Sequence, residues 1–427
     1  MKNVFQLIFT LTSLISVAQT TSIKNSPFLT EASPKSVGMS EERLARIDAM
    51  CAEAVKNEVP GIVALVARNG KIVFHKAYGT ADAESTKELK TDAIFRIASQ
   101  TKAITSTAVM MLWEEGKFRL DDPISKYIPE FSNEQILDSV YPDGSYSTIP
   151  AKNPITIRHL LSHTSGIGYG VIDGDSRFKK IYANAGITDL FTTEKITIAE
   201  SVKKLAKLPL HHNPGEKYTY SEGLDVLGYF IEIMSGMPLD QFLRKRILDP
   251  LQMNDTWFYL PKALEHRLVS VQTKENNQWK NYPKTFYDTN YPKTGAKAFF
   301  SGGAGLSSTA KDYANFLQMY LNKGELNGIR ILSRTTVDVI MANQIGTIWE
   351  GGDANFGLAF RVINENGVAK GGQGSLKTFN WGGYFNSQYF ADPKEQVIGI
   401  ILKQTRAIEG DNTAWKFQQL VGQSIDD

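Results

Sequence analysis

Phe95-Arg96-Ile97-Ala98-Ser99-Gln100-Thr101-Lys102 is the stretch on which the reading of this sequence turns. Ile94 to Ile97 has the apolar character of a strand end, and Ser99 to Glu115 that of a long apolar helix. With Ser99 opening that helix, Lys102 lies one turn later on the same face, the two Cβ atoms about 5–6 Å apart. A hydroxyl at the positive end of a helix dipole, beside an amine, can shed its proton at reduced cost and attack an acyl carbon. The pattern therefore points to Ser-x-x-Lys chemistry.

Working outward, 427 residues suffice for one large domain or two closely joined ones. A formal charge of +2, with no long basic or acidic run, argues against a nucleic-acid partner. At the N-terminus Lys2 precedes an uncharged apolar run from Val4 to Val17, and Ser16-Val17-Ala18 offers the small residues of a cleavage site. Residues 1–18 read as a secretory signal cut after Ala18, which places the mature protein outside the cytoplasm, secreted or periplasmic. The run is too short for a span, so no membrane segment is expected after its removal. Cys51 is the single cysteine, which excludes an internal disulfide and any cysteine-based metal centre. It falls inside an amphipathic helix, Glu41 to Lys56, and reads as a packed core thiol.

Residues 19–39 read as an extended leader. Ser40 caps the first helix, and Gly61–Arg68 with Lys71–Tyr78 form a hairpin around Asn69-Gly70. Helices follow at Ile157 to Gly166, Ile198–Leu208, Leu224–Met234, Leu239–Ile247, Ala310–Leu321 and Arg334–Asn343. Strands are expected at Phe356–Ile363, Thr378–Trp381, Ser387–Ala391 and Val397–Lys403, with a closing helix at Ala414–Leu420. Tyr169–Thr193 reads as a polar loop on the substrate side, with Tyr169 a candidate substrate contact. Residues 254–299 are aromatic and polar without a clear period. The fold class is α+β: an antiparallel sheet built from both chain ends (40–98 and 300–427), flanked by helices, with a large, mostly helical insertion at 99–299.

Several segments together carry a family resemblance. They are Phe95 to Lys102, Ile157-Arg158-His159-Leu160-Leu161-Ser162-His163-Thr164-Ser165-Gly166, Asn213-Pro214-Gly215 with Tyr220-Ser221, Ser301-Gly302-Gly303-Ala304-Gly305-Leu306, and Trp381-Gly382-Gly383. In them the chain resembles the serine β-lactamase and penicillin-recognising superfamily. The nearest branch holds class C β-lactamases, D,D-peptidases, D-aminopeptidases and β-lactamase-like carboxylesterases. No single motif suffices. Ser-x-x-Lys recurs at Ser176, Ser201 and Ser308, but only Ser99 follows a strand and opens an apolar helix. Literal Tyr-x-Asn matches at Tyr182, Tyr313, Tyr320 and Tyr384 fall at the wrong places in the chain, and Tyr220-Ser221-Glu222 stands where the family places that box. Lys293-Thr294-Gly295 comes too early for the third box, which Trp381-Gly382-Gly383 fills.

The resemblance implies Ser99 as nucleophile, Lys102 and Tyr220 sharing the proton transfers, and an oxyanion hole from the backbone N–H groups of Ser99 and Tyr384. Gly382 and Gly383 would let substrate approach the strand edge closely. Two departures shape the substrate. Trp381 stands where a cation holds the carboxylate of β-lactams and peptides, which favours neutral or apolar acyl groups and hence esters. Glu222 replaces the usual Asn. It would favour the ammonium form of Lys102 and pass base duty to Tyr220, or else face a cationic substrate group. The implied partner is a small-molecule or peptide-like acyl compound, with no metal and no organic cofactor.

Rival readings are a peptidase or lactamase of the same fold, or a binding protein that keeps the fold without turnover. The chain has no Gly-x-Ser-x-Gly, which weakens an α/β-hydrolase reading. His159 and His163 share the spacing of a helical zinc site but lack its Glu, and read as structural.

Overall fold

The computed structural model describes residues 21–427 apart from Thr86 and Ala407. The expected signal, residues 1–18, lies outside the described residues. Eight segments form the main sheet: Thr30–Glu31 (β1), Gly61–Arg68 (β2), Lys71–Gly79 (β3), Ala354–Phe356 (β4), Arg361–Ile363 (β5), Phe379–Gly382 (β6), Gln388–Asp392 (β7) and Val397–Leu402 (β8). Their spatial order is β1-β3-β2-β8-β7-β6-β5-β4, antiparallel throughout except where β1 joins β3. The join of the two chain ends is β2 against β8, with Ala67 opposite Ile398 and Val63 opposite Leu402.

Period-2 alternation explains why β2 is buried along its whole length. Ile62, Ala64 and Val66 enter one core with helix Glu41–Asn57 (α1), while Val63, Leu65 and Ala67 enter the larger one. Ser40 caps α1 by accepting the Arg43 N–H at 3.3 Å, and Leu44, Ile47, Cys51 and Ala54 form its buried stripe. Helix Thr101–Glu114 (α2) is buried on every side from Thr101 to Leu112 and packs against Gly223–Ser235 (α3). Its uniform burial is what a helix without a polar face requires. Ala310–Leu321 (α4) and the closing Thr413–Gly422 (α5) lie against β8. Asn69 and Gly70 both take positive φ, as the hairpin turn between β2 and β3 demands.

The structure corrects several expectations. Within the leader, Thr30–Glu31 adds to the sheet as a parallel edge strand that the sequence reading did not include. The segment expected as one strand, Phe356–Ile363, is β4 and β5 folded back at Gly357. A Cβ there would come 2.1 Å from the Ile340 carbonyl oxygen. The polar segment after Tyr169 holds a helix, Ser176–Ala185, capped by Asp175. The helix expected to reach Gly166 covers only Ile157–Leu161. Two hairpins were not anticipated, Gln135–Val140 with Tyr146–Pro150 and Gln272–Glu275 with Gln278–Asn281. Among the described residues no helix is long and apolar enough to cross a membrane.

Candidate active site

Phe95–Arg96 forms a two-residue strand against Ser307–Ser308, and Ala98–Gln100 is a 3₁₀ turn running directly into α2. Ala98 has φ 44°, a left-handed conformation that is costly for a residue with a Cβ. That bend turns the chain so that Ser99 is half-buried while Ala98 and Gln100 are fully covered.

Lys102 is 4% exposed and lies beneath Ser99. Its Nζ donates to the Tyr169 Oη at 2.9 Å and the Gly303 carbonyl at 2.8 Å, and stands 3.5 Å from Ser99 Oγ. The same Nζ sits 4.7 Å from the centre of the Tyr220 ring. Tyr220 leans toward Trp381, whose indole N–H reaches the Tyr220 oxygen at 3.4 Å. Behind Tyr220 is the buried ring of His163, 4.7 Å away, which is tied through Nδ1 to Ser221 Oγ at 3.1 Å. His163 thus packs the tyrosine in place, and among the described residues no cluster suits a metal ion.

Ser99, Tyr220, Trp381, Gly382 and Gly383 share one cavity of about 560 Å³, which continues over Asn380 and Gln388 to Trp415 on α5. β5 pairs with β6 only at Phe379 and Asn380, so the Trp381–Gly383 edge is open on that side. Gly383 is required by close approach: a Cβ there would lie 2.6 Å from the Ile97 carbonyl oxygen. That contact brings the turn carrying Tyr384 against the turn carrying Ser99. The Tyr384 N–H has no acceptor among the described residues.

Two residues expected on the substrate side sit elsewhere. Tyr169 is 1% exposed and binds Lys102 instead of lining the cavity, and burial pushes its phenol well above the usual range, so it stays neutral. Glu222 is 2% exposed and does not line the cavity. Burial, reinforced by neighbouring Asp189, pushes its carboxyl well above the usual range. Its place behind the cavity wall gives Glu222 no direct contact with a substrate in that cavity. Asp189 itself accepts the N–H groups of Gly170 and Val171, which fixes the loop that carries Tyr169.

Asp225 escaped the sequence reading. Its Oδ1 accepts from Ser301 Oγ at 2.7 Å and from the Gly303 N–H at 2.9 Å, aiming the Gly303 carbonyl at Lys102. The signal available was an acid in the apolar first half of a helix, five residues after Tyr220.

A hydroxyl at a strained turn, an amine below it, a phenol beside both and a glycine strand edge opposite form an arrangement that can carry acyl transfer. The chain belongs to the beta-lactamase family, whose model matches residues 47–423, and the family expectation drawn from the motifs holds. Esterase EstB of Burkholderia gladioli is 30% identical over 382 residues, covering 86% of this chain and 91% of that protein. Protein Rv1367c of Mycobacterium tuberculosis is 31% identical over 362 residues, covering 81% and 85%. Among solved structures, EstCE1, described as a hydrolase with promiscuous acyltransferase activity, superposes with a TM-score of 0.76 at 26% identity, over 91% of this chain and 99% of that one. This is a family of serine hydrolases, and the mixed sheet-and-helix architecture is the one EstCE1 shares.

Proposed function

We propose that the protein is an exported carboxylesterase that works through an acyl-enzyme on Ser99. The observation that carries this reading is the cavity wall. Where Ser99 opens to solvent, the facing strand presents Trp381 and two glycines, an apolar surface suited to a neutral acyl or alcohol group. The esterase relative supports the same choice.

In the proposed cycle Ser99 Oγ bonds to the ester carbon as its proton passes to the Lys102–Tyr220 pair. The tetrahedral oxygen is held by the N–H groups of Ser99 and Tyr384, and the carbon–alkoxide bond breaks with that proton delivered to the leaving oxygen. Water then repeats the sequence and frees the acid. Lys102 has its other donors fixed by Tyr169 and Gly303, so its Nζ is held near Ser99 without a carboxylate directly bound to it.

The test is hydrolysis by the purified mature protein of p-nitrophenyl acetate and butyrate, nitrocefin and a D-alanyl p-nitroanilide, each beside Ser99→Ala. Ester turnover lost in Ser99→Ala is the expected result. Turnover of nitrocefin or the D-alanyl amide in preference to esters would move the protein to the lactamase or peptidase branch. Silence on every substrate would favour a binding protein. N-terminal sequencing of the protein recovered outside the cytoplasm should begin at Gln19.

A further inference from the structure

The three residues after β8 and Lys403, namely Gln404, Thr405 and Arg406, touch both halves of the site. Gln404 is 2% exposed, and its side-chain amide acts as a substitute strand for Arg96. Oε1 accepts the Arg96 N–H at 2.8 Å, and Nε2 donates to the Arg96 carbonyl at 3.2 Å. Arg96 lies three residues before Ser99. On the other side the Thr405 N–H donates to the Phe385 carbonyl at 3.2 Å, and Thr405 Oγ1 accepts from Asn386 Nδ2 at 2.8 Å. Arg406 Nη1 donates to the Tyr384 carbonyl at 3.2 Å, with the guanidinium carbon 3.6 Å from the centre of the Tyr384 ring. The segment is itself braced by Gln272, which gives its N–H to the Gln404 carbonyl and takes the Arg406 N–H, each at 2.9 Å.

Two N–H groups serve one oxyanion only if their separation and direction are fixed before substrate arrives. Here they sit on different elements, a turn before α2 and a turn after β6, far apart in the chain. Resting on the serine-hydrolase reading above, we infer that Gln404–Arg406 is the bracket that sets the geometry of the oxyanion hole, with Gln404 and Arg406 as positioning residues. Gln404 fixes the path of the chain into Ser99, and Arg406 holds the carbonyl and ring of Tyr384, which restrains from its C-terminal side the residue whose N–H is offered to the oxyanion. Neither residue lines the cavity, so substrate affinity does not depend on them.

Arg406 is only part-buried and can be replaced without opening the core. In Arg406→Ala, kcat should fall about 10- to 100-fold, the scale of a misplacement approaching 1 Å, with KM changed less than about threefold. Affinity for a phenylboronic acid, which mimics the tetrahedral adduct, should fall in step with kcat/KM. Arg406→Lys, which keeps a donor for the Tyr384 carbonyl, should recover part of the loss, and Thr405→Val should show a smaller loss of the same kind. The melting temperature of each variant is measured alongside. An Arg406→Ala enzyme with wild-type kcat overturns the bracket. So does a variant whose losses track a lowered melting temperature while boronate affinity is unchanged. If Ser99→Ala still hydrolyses ester, the serine-hydrolase reading fails first and takes this inference with it. If Ser99→Ala is inert and Arg406→Ala is normal, only the bracket fails.

Discussion

At the scale of single residues, the site is organised by what surrounds one buried amine. Lys102 has a phenol, a carbonyl and a hydroxyl within 3.5 Å, and none of its hydrogen-bond partners is an acid. Tyr169→Phe removes one acceptor from that set. That acceptor helps hold Nζ at its distance from Ser99 Oγ, so kcat/KM should drop about 10-fold or more with the cavity intact, measured by ester hydrolysis. Glu222 gives the opposite expectation. Because burial favours the uncharged form of its carboxyl, Glu222→Gln should leave stability within about 0.5 kcal/mol and activity near wild type, whereas Glu222→Ala should cost about 2 kcal/mol or more by urea denaturation. Ser99, Lys102, Tyr220 and Trp381 were legible in the sequence because local strand, helix and turn signals accompany their motifs. Tyr169, 67 residues from Lys102, was legible only as a loop tyrosine, since no local pattern states which distant hydroxyl will meet a lysine. The burial of Glu222 beside Asp189 was not legible for the same reason: it is a tertiary fact.

At the scale of elements, two helices that start with a clear cap were read closely, and the short strands were not. Ser40 and Thr309 each accept an N–H three residues on, and α1 and α4 begin where those caps predict. The hairpins at 135–150 and 272–281 lack a continuous apolar face, so their alternation is weak, and the break at Gly357 comes from the Ile340 backbone crossing behind it. In the first turn of α4, Asp312 also accepts from the Asp255 N–H and from Thr256 Oγ1, tying that loop to the helix. Burial pushes its carboxyl up to about 6 from 3.8. An acid raised in the folded state holds its proton longer than the unfolded chain does, so its penalty is absent below pH 3.8 and complete above about pH 6. At about 1.4 kcal/mol per unit this amounts to roughly 3 kcal/mol. Relative to wild type, Asp312→Asn should gain stability as pH rises through that window, read as the difference between the two proteins' denaturation midpoints at each pH.

At the scale of the whole molecule, two cores on either side of one sheet carry the stability, and the open edge of β6 lines the cavity that holds Ser99. The antiparallel sheet from both chain ends was legible because hairpin and strand signals cluster at the two ends of the sequence with helical periods between them. The parallel edge strand β1 was not, since two polar residues in an extended leader hold no period to read. The smaller core supplies its own reporter. Cys51 is fully buried against α5 and β2, and burial pushes its thiol up to about 12. Its reaction with an aromatic disulfide at pH 8 should therefore require opening of that core. The labelling rate should be far below that of free thiol, and should rise with urea along the same slope as the unfolding transition.

The β2–β8 pairing gives the protein a history as well as a shape. While the chain is being made, the hairpin of β2 and β3 and the serine turn leave the ribosome first, yet β2 lacks its neighbour until Val397–Leu402 has been synthesised. Until then the middle strand of the future sheet is an unpaired edge, open to pairing with any other extended chain. Closing so long a loop is slow. Tyr384 and the residues after β8 are among the last parts to arrive, so the proposed site stays incomplete while the chain is being made. The two halves of the proposed site come together only when the two ends meet.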